Sequence, residues 1–244
     1  MIKERIQKVV ASTGTFSRRE VEKLILAGKV MVNGKVMREL GTKIDATTDR
    51  ISVNGKLVSL SKEGPARVIL FHKPRHVMVT RKDPEGRPTV FDYMPKDLKD
   101  LKPIGRLDFN TQGALLLTDD GELINHMTHP RYHVEKVYEV KLSSHPDPRQ
   151  IKRLQDGILI DGRRTLPGGV TVVSTNASST IVEFRLVEGR NRQIRRMCEA
   201  VGLTVKELRR VRIGPVSLSA LRSGTFRALT QSEIRKLKVK LDLS

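Results

Sequence analysis

The amino-acid sequence predicts an α+β fold in two parts, a small helix-and-hairpin domain over residues 1–60 and a larger domain of strands and helices over 67–244. Three observations carry this. The first sixty residues hold two short apolar stripes at helical spacing, each stopped by a glycine, and then short alternating runs closed by Asn-Gly. Residues 61–66, Ser-Lys-Glu-Gly-Pro-Ala, are polar and turn-prone and read as a linker. Beyond them, runs of strand length are separated by segments that open with helix caps.

In order, Ile6, Val9 and Val10 form the stripe of a first helix that Gly14 stops. Ser17-Arg18-Arg19-Glu20 spells a capping box and opens a second, in which Val21, Leu24 and Ile25 share a face until Gly28. Val30-Met31-Val32 and Ile51-Ser52-Val53 are short strands followed by the turns Asn33-Gly34 and Asn54-Gly55. Val68 to Phe71 is a buried-strand run that Lys73-Pro74 ends. Residues 81–92 hold too much proline, glycine and charge for a regular element and read as a long loop, ordered at its end by Val90 and Phe91, with Arg87 its candidate substrate contact. Ala114 to Leu117 is a further buried strand, and Asp119-Asp120-Gly121-Glu122 starts a helix that Pro130 ends. From Glu135 to Leu142 the chain alternates, with Val137, Glu139 and Lys141 on one side and Tyr138, Val140 and Leu142 on the other, so Tyr138 faces the core or a cleft. Asp147-Pro148-Arg149-Gln150 caps a helix, Thr180 to Val187 is a strand, and Thr230 to Glu233 caps the terminal helix.

Forty-six Lys and Arg against 27 Asp and Glu leave a formal net charge of +19. Such an excess faces something negative, nucleic acid first. No stretch approaches the roughly 18 consecutive apolar residues of a spanning helix, and no basic-then-apolar signal peptide opens the chain, so no membrane partner is expected and the cytoplasm is the expected location. The single Cys198 leaves no intrachain disulfide and reads as a core residue. His126, His129 and His133 lack a carboxylate partner at ligand spacing and are interrupted by Pro130, so no metal is expected. Walker and Gly-x-Gly-x-x-Gly motifs are absent, and no nucleotide cofactor is expected. A chain of this charge is expected to be a monomer.

Charge concentrates in two places. Residues 1–60 carry twelve Lys/Arg against six Asp/Glu, and Arg18, Arg19, Lys23 and Lys29 are the candidates to meet phosphates. Residues 185–213 carry nine against three. There Ile194, Met197, Cys198 and Val201 share one helical face with Arg195 at its margin, best placed to enter a cleft, while Arg190, Arg192 and Arg196 are better placed for an RNA backbone.

Between these lies the stretch from Pro103 to Thr118. Gly105 and Gly113 bracket a polar turn and permit backbone angles closed to other residues. Asp108 is thereby held in a tight loop beside Arg106, over an apolar strand. Burial raises a carboxylate pKa and an arginine lowers it, which suits a tuned acid; an aspartate in such a loop also serves as a turn or cap residue.

Residues Glu4 to Val58, with SRREVEKLILAGKVMVNGK at their heart, resemble the small RNA-binding domain named after ribosomal protein S-four. Residues 67–240 resemble the catalytic domain of the pseudouridine synthases, in the RsuA/RluB group that modifies ribosomal RNA. Three motifs carry this: GRLDFNTQGALLLTDDG around Asp108, EKVYEV around Tyr138 and EGRNRQIRRMCEAVG around Arg195. The loop KDPEGRPTVFDYMP further resembles the enzymes acting on large-subunit RNA. Ala114 departs from the leucine the family often has, which touches strand packing alone. The resemblance implies a mixed, mainly antiparallel sheet with flanking helices. It implies isomerisation of a uridine in ribosomal RNA, of the large subunit or an assembly intermediate, without cofactor or metal; small-subunit RNA, or an RNA-binding assembly factor without catalysis, are the alternatives. It implies Asp108 as the reacting carboxylate, attacking as a nucleophile or removing a ribose proton, with Arg195 holding it ionised through a charge-assisted pair. Tyr138 would stack on a flipped-out base and handle the proton at ring carbon five.

Overall fold

A computed structural model describes residues 3–60, 64–241 and 243. The chain divides into two compact units, residues 1–66 with 119–121, and residues 67–118 with 122–244. The first half of the expected linker, residues 61–63, lies outside the described residues.

In the first unit, helices α1 (Ile6–Ser12) and α2 (Arg18–Leu26) precede strands β1 (Val30–Val32), β2 (Lys35–Met37), β3 (Ile51–Val53) and β4 (Lys56–Leu57), paired antiparallel in the order β2-β1-β3-β4. The expected capping box is present: Ser17 Oγ accepts from Glu20 N at 3.2 Å, and the Glu20 carboxylate accepts from Ser17 N at 2.6 Å. Asn33, Gly34, Asn54 and Gly55 all take positive φ, as two-residue turns matched to strand twist require. Ile6, Val9, Val10, Val21 and Ile25 pack on Val30, Val32, Ile51 and Val53. Arg18, Arg19, Lys23 and Lys29 are left exposed or half-buried at the surface.

The second unit is built on one sheet. Its strands are β5 (Val68–Lys73), β6 (Lys102–Pro103), β7 (Gln112–Thr118), β8 (Lys136–Leu142), β9 (Gly169–Asn176), β10 (Ser179–Leu186), β11 (Val205–Ile213), β12 (Val216–Ser217) and β13 (Phe226–Ala228). They run in the order β9-β10-β8-β11-β7-β5-β13, with β12 added to β11 and β6 to β7. Of these pairings only β11 with β7 is parallel, so the sheet is mixed and mainly antiparallel, as the resemblance implies. Flanking helices are α3 (Gly121–Thr128), α4 (Pro148–Asp156), α5 (Gln193–Glu199) and α6 (Gln231–Lys240).

Strands β5 and β7 are covered on both faces, which is why they read as unbroken apolar runs. Val68, Leu70, Ala114 and Leu116 pack with Leu123, Met127 and Leu237, while Ile69, Phe71, Leu115 and Leu117 pack with Val77, Val90, Phe91 and Leu101. Val90 and Phe91 sit in a short 3-10 turn, Val90–Tyr93, that does order the end of the long loop. At the other end of the sheet Val140, Leu142, Val182 and Phe184 meet Leu154, Ile194, Met197 and Cys198. Burial pushes the Cys198 thiol up to about 12, in keeping with a core residue. Burial does not follow the alternation throughout: Val137, on the side of Glu139 and Lys141, is buried like Val140 on the other, and opposite it β11 carries one extra residue between Arg210 and Arg212.

Candidate active site

The loop that carries Asp108 is fixed through its backbone. Lys73, at the end of β5 and fully buried, donates from Nζ to the carbonyls of Asp108 (3.2 Å), Thr111 (2.8 Å) and Pro74 (2.9 Å). Thr111 N also donates to Asp108 O (3.0 Å) and His76 N to Phe109 O (2.7 Å). Arg195 Nη2 donates to Asn110 O at 3.2 Å. Four successive carbonyls, from 108 to 111, are thus each held by a donor. Burial pushes the Lys73 amine down to about 8; the charge of Asp108 opposes that shift and Arg210 adds to it.

Register does the rest. Gly113 follows the loop at φ +115°, and a Cβ there would lie 2.2 Å from Arg210 O, so β7 and β11 meet closely only because position 113 is glycine. The parallel pairing sets Arg210 beside Gly113, and the antiparallel pairing sets Tyr138 on the other side of Arg210. Asp108, Tyr138 and Arg210 open on one cavity of about 520 Å³. Ile104, Leu107, Leu186, Leu208 and Ile213 give it apolar walls; Lys136 joins Tyr138 along β8, and Arg106, Arg190 and Arg192 are among its remaining basic residues. An apolar hollow with a few convergent polar groups, of this size, is the common form of a small-molecule or nucleotide pocket.

Arg195 does not form the expected hydrogen-bonded pair with Asp108. Its guanidinium donates to Val205 O and Asn110 O, both at 3.2 Å, and among the described residues its Nε has no partner. Burial lowers its pKa, Arg192 adds to this, and the charge of Asp108 works against it, so Asp108 acts on Arg195 through space. The helix margin does bring Arg195 to the site, but it grips the loop two residues beyond the carboxylate.

Three expected RNA contacts are also engaged by the protein itself. Arg87 forks onto Asp83 (2.9 and 3.0 Å), reaches Glu85 (2.9 Å) and lies 5.7 Å from the Phe109 ring centre. Arg190 holds Glu188 (3.2 Å) and the carbonyls of Arg163 (2.9 Å) and Arg164 (2.7 Å). Arg196 forks onto Asp161 at 2.7 and 2.5 Å. Carboxylates near Arg87 and Arg190 in the chain, and the distant Asp161 for Arg196, take up their charge. Arg106 and Arg192 remain exposed at the cavity.

Residues 67–200 match the family described as RNA pseudouridylate synthase. The chain belongs to that family. It is an enzyme that isomerises uridine to pseudouridine within RNA, and residues 4–51 of the synthase match the S4 domain. Over 241 residues the synthase is 40% identical to the ribosomal large subunit pseudouridine synthase B of Bacillus subtilis, covering 98% of this chain and 97% of the relative. It is 42% identical to the protein of the same name from Escherichia coli K12, over 88% of this chain and 75% of the relative. A solved structure described as a pseudouridylate synthase superposes with a TM-score of 0.70 at 31% identity, covering 96% of this chain and 99% of the other. No described helix of the synthase is long and apolar enough to cross a membrane.

Sequence reasoning missed Lys73, Lys136 and Arg210. Two of them carried a signal: Lys136 shares the parity of Tyr138 on β8, and Arg210 shares the inward parity of Leu208 on β11.

Proposed function

We propose that the protein converts a particular uridine of large-subunit ribosomal RNA to pseudouridine, with Asp108 as the reacting carboxylate. The observation that carries this reading is the Asp108 loop, clamped by donors to four of its own carbonyls at the edge of a cavity that Tyr138 also lines. The substrate follows the relatives, several of which bear the name ribosomal large subunit pseudouridine synthase B.

In the reaction the base detaches from the anomeric carbon, turns, and reattaches through ring carbon five. No group is gained or lost, so the atom balance calls for no cofactor. Asp108 bonds to the anomeric carbon or takes a ribose proton, and one carboxylate suffices because no water is activated, unlike in glycoside hydrolysis. Tyr138 stacks on the flipped base and handles the proton at carbon five, and Arg195 keeps the loop and its carboxylate in place. Flipping costs a few kcal/mol, which phosphate contacts from Arg106, Arg192, Arg18, Arg19, Lys23 and Lys29 offset. The enzyme works as a cytoplasmic monomer.

The test is to incubate the protein, without added cofactor, with unmodified large-subunit RNA transcript and to map carbodiimide-dependent primer-extension stops. One new stop, lost with Asp108→Ala while RNA affinity holds, is the expected result. A stop on small-subunit RNA instead would reassign the substrate, and residual turnover in the variant would remove Asp108 from its role.

A further inference from the structure

Arg210 is only 5% exposed, yet it lines the cavity. Its Nε donates to Ala114 O at 2.8 Å, and among the described residues its Nη2 has no partner. A buried guanidinium with an idle donor costs stability unless something in the working enzyme uses it. Lys136, two residues before Tyr138 on the same side of β8, lines the same cavity, and neither cation forms an ion pair among the described residues. Burial and the charge of Arg210 together push its amine down to about 8, which shows how near the two cations lie. Lys73 is bonded to Asp108 O and feels Arg210 as well, so Arg210 and the Asp108 loop share one end of the cavity. The one carboxylate besides Asp108 in the cavity wall, Glu188, is taken by Arg190 and Gln193.

Two cations therefore line the cavity together with Tyr138. Resting on the proposed reaction, we infer that Arg210 and Lys136 are further catalytic residues, which hold the negative charge of the uracil ring when it leaves the ribose. Whether Asp108 bonds to C1′ or takes the C2′ proton, the electron pair of the C1′–N1 bond goes to uracil and makes it an anion, spread over N1 and the two ring oxygens. The anion turns and its C5 bonds to C1′ as the C1′–Asp108 bond breaks, or as the proton held by Asp108 returns to C2′; the C5 proton then leaves while N1 gains one, giving pseudouridine with no net change in atoms. Fixed charges aimed at an anion that exists only in mid-reaction lower the barrier without tightening substrate binding.

The experiment compares single-turnover rates on two RNAs, one with uridine and one with 5-fluorouridine at the target, read as loss of the starting nucleoside in digests. Fluorine stabilises the same uracil anion without help from the protein. Arg210→Gln is expected to slow the uridine RNA by about 10²-fold at unchanged RNA affinity, and the fluorinated RNA at least several-fold less. Because Arg210 also holds Ala114 O, Lys136→Gln provides a second variant less tied into the fold, slower by about tenfold or more and with the same bias between the RNAs. Equal effects on both RNAs, effects confined to affinity, or a fluorinated RNA that the wild type leaves intact would overturn the assignment. A wild type that converts no ribosomal uridine would instead overturn the proposed reaction.

Discussion

Gly113 is where a single missing carbon decides the geometry. Replacing it with alanine would force a Cβ to 2.2 Å from Arg210 O at φ +115°, whereas at Gly105, φ +73°, the nearest atom is Thr128 Cγ2 at 3.9 Å. Gly113→Ala is expected to destabilise the protein by about 3 kcal/mol or more and Gly105→Ala by about 1 kcal/mol, the second being backbone strain alone. Denaturant titration of both variants checks this, and equal effects would refute the close approach. At this scale the loop around Asp108 was legible because its neighbours, bracketed by Gly105 and Gly113, form a dense local motif. Lys73 was not: a lysine beside a proline looks like the exposed end of a strand, and only folding shows that it turns inward to three carbonyls. Arg195 was half legible, since helical spacing gives its direction and not which atom it meets.

Helix α6 shows what an element contributes. Its Glu233 carboxylate accepts from Arg227 (2.7 and 2.8 Å), from Thr230 N (2.9 Å) and from Thr230 Oγ (3.2 Å). The Arg227 fork first, then the Thr230 cap, hold its pKa down to about 2 from 4.5. A carboxylate with a depressed folded-state pKa stabilises the fold above its unfolded value, and that stabilisation is lost as pH falls from about 4.5 toward about 2. The melting temperature of Glu233→Gln should therefore lie below that of the wild type at about pH 6, and the gap should close on acidification; a gap unchanged at about pH 3 would contradict this. Caps of this kind were readable at Ser17, Asp147 and Thr230 because the signal lies within four residues. Strand order was not readable that way. That β11 inserts between β8 and β7 depends on partners about seventy to a hundred residues apart, so the mixed sheet followed from family likeness and not from local spacing.

For the whole molecule the question is which of the 46 basic residues are free to meet RNA. Net charge was plain in the sequence, but its availability was not, because Arg87, Arg190 and Arg227 are matched to carboxylates two to six residues away and Arg196 to Asp161, which the fold brings to it. Arg18, Arg19, Lys23 and Lys29 form no ion pair within 4 Å among the described residues. Changing all four to glutamine is expected to weaken RNA binding and to flatten the log–log dependence on salt by about 3, at roughly 0.7 for each phosphate that a cation no longer neutralises on single-stranded RNA. Affinity measured over a salt series decides the point, and an unchanged slope would remove the first unit from RNA docking.

The clamp on the Asp108 loop holds main-chain oxygens, which every amino acid possesses. Asn110 lends it only its carbonyl, whereas the Phe109 ring also packs against His76 and Arg87. The side chain at 110 can thus be exchanged, and with it a contact beside the proposed reacting group, while the backbone of Asp108 stays where it was.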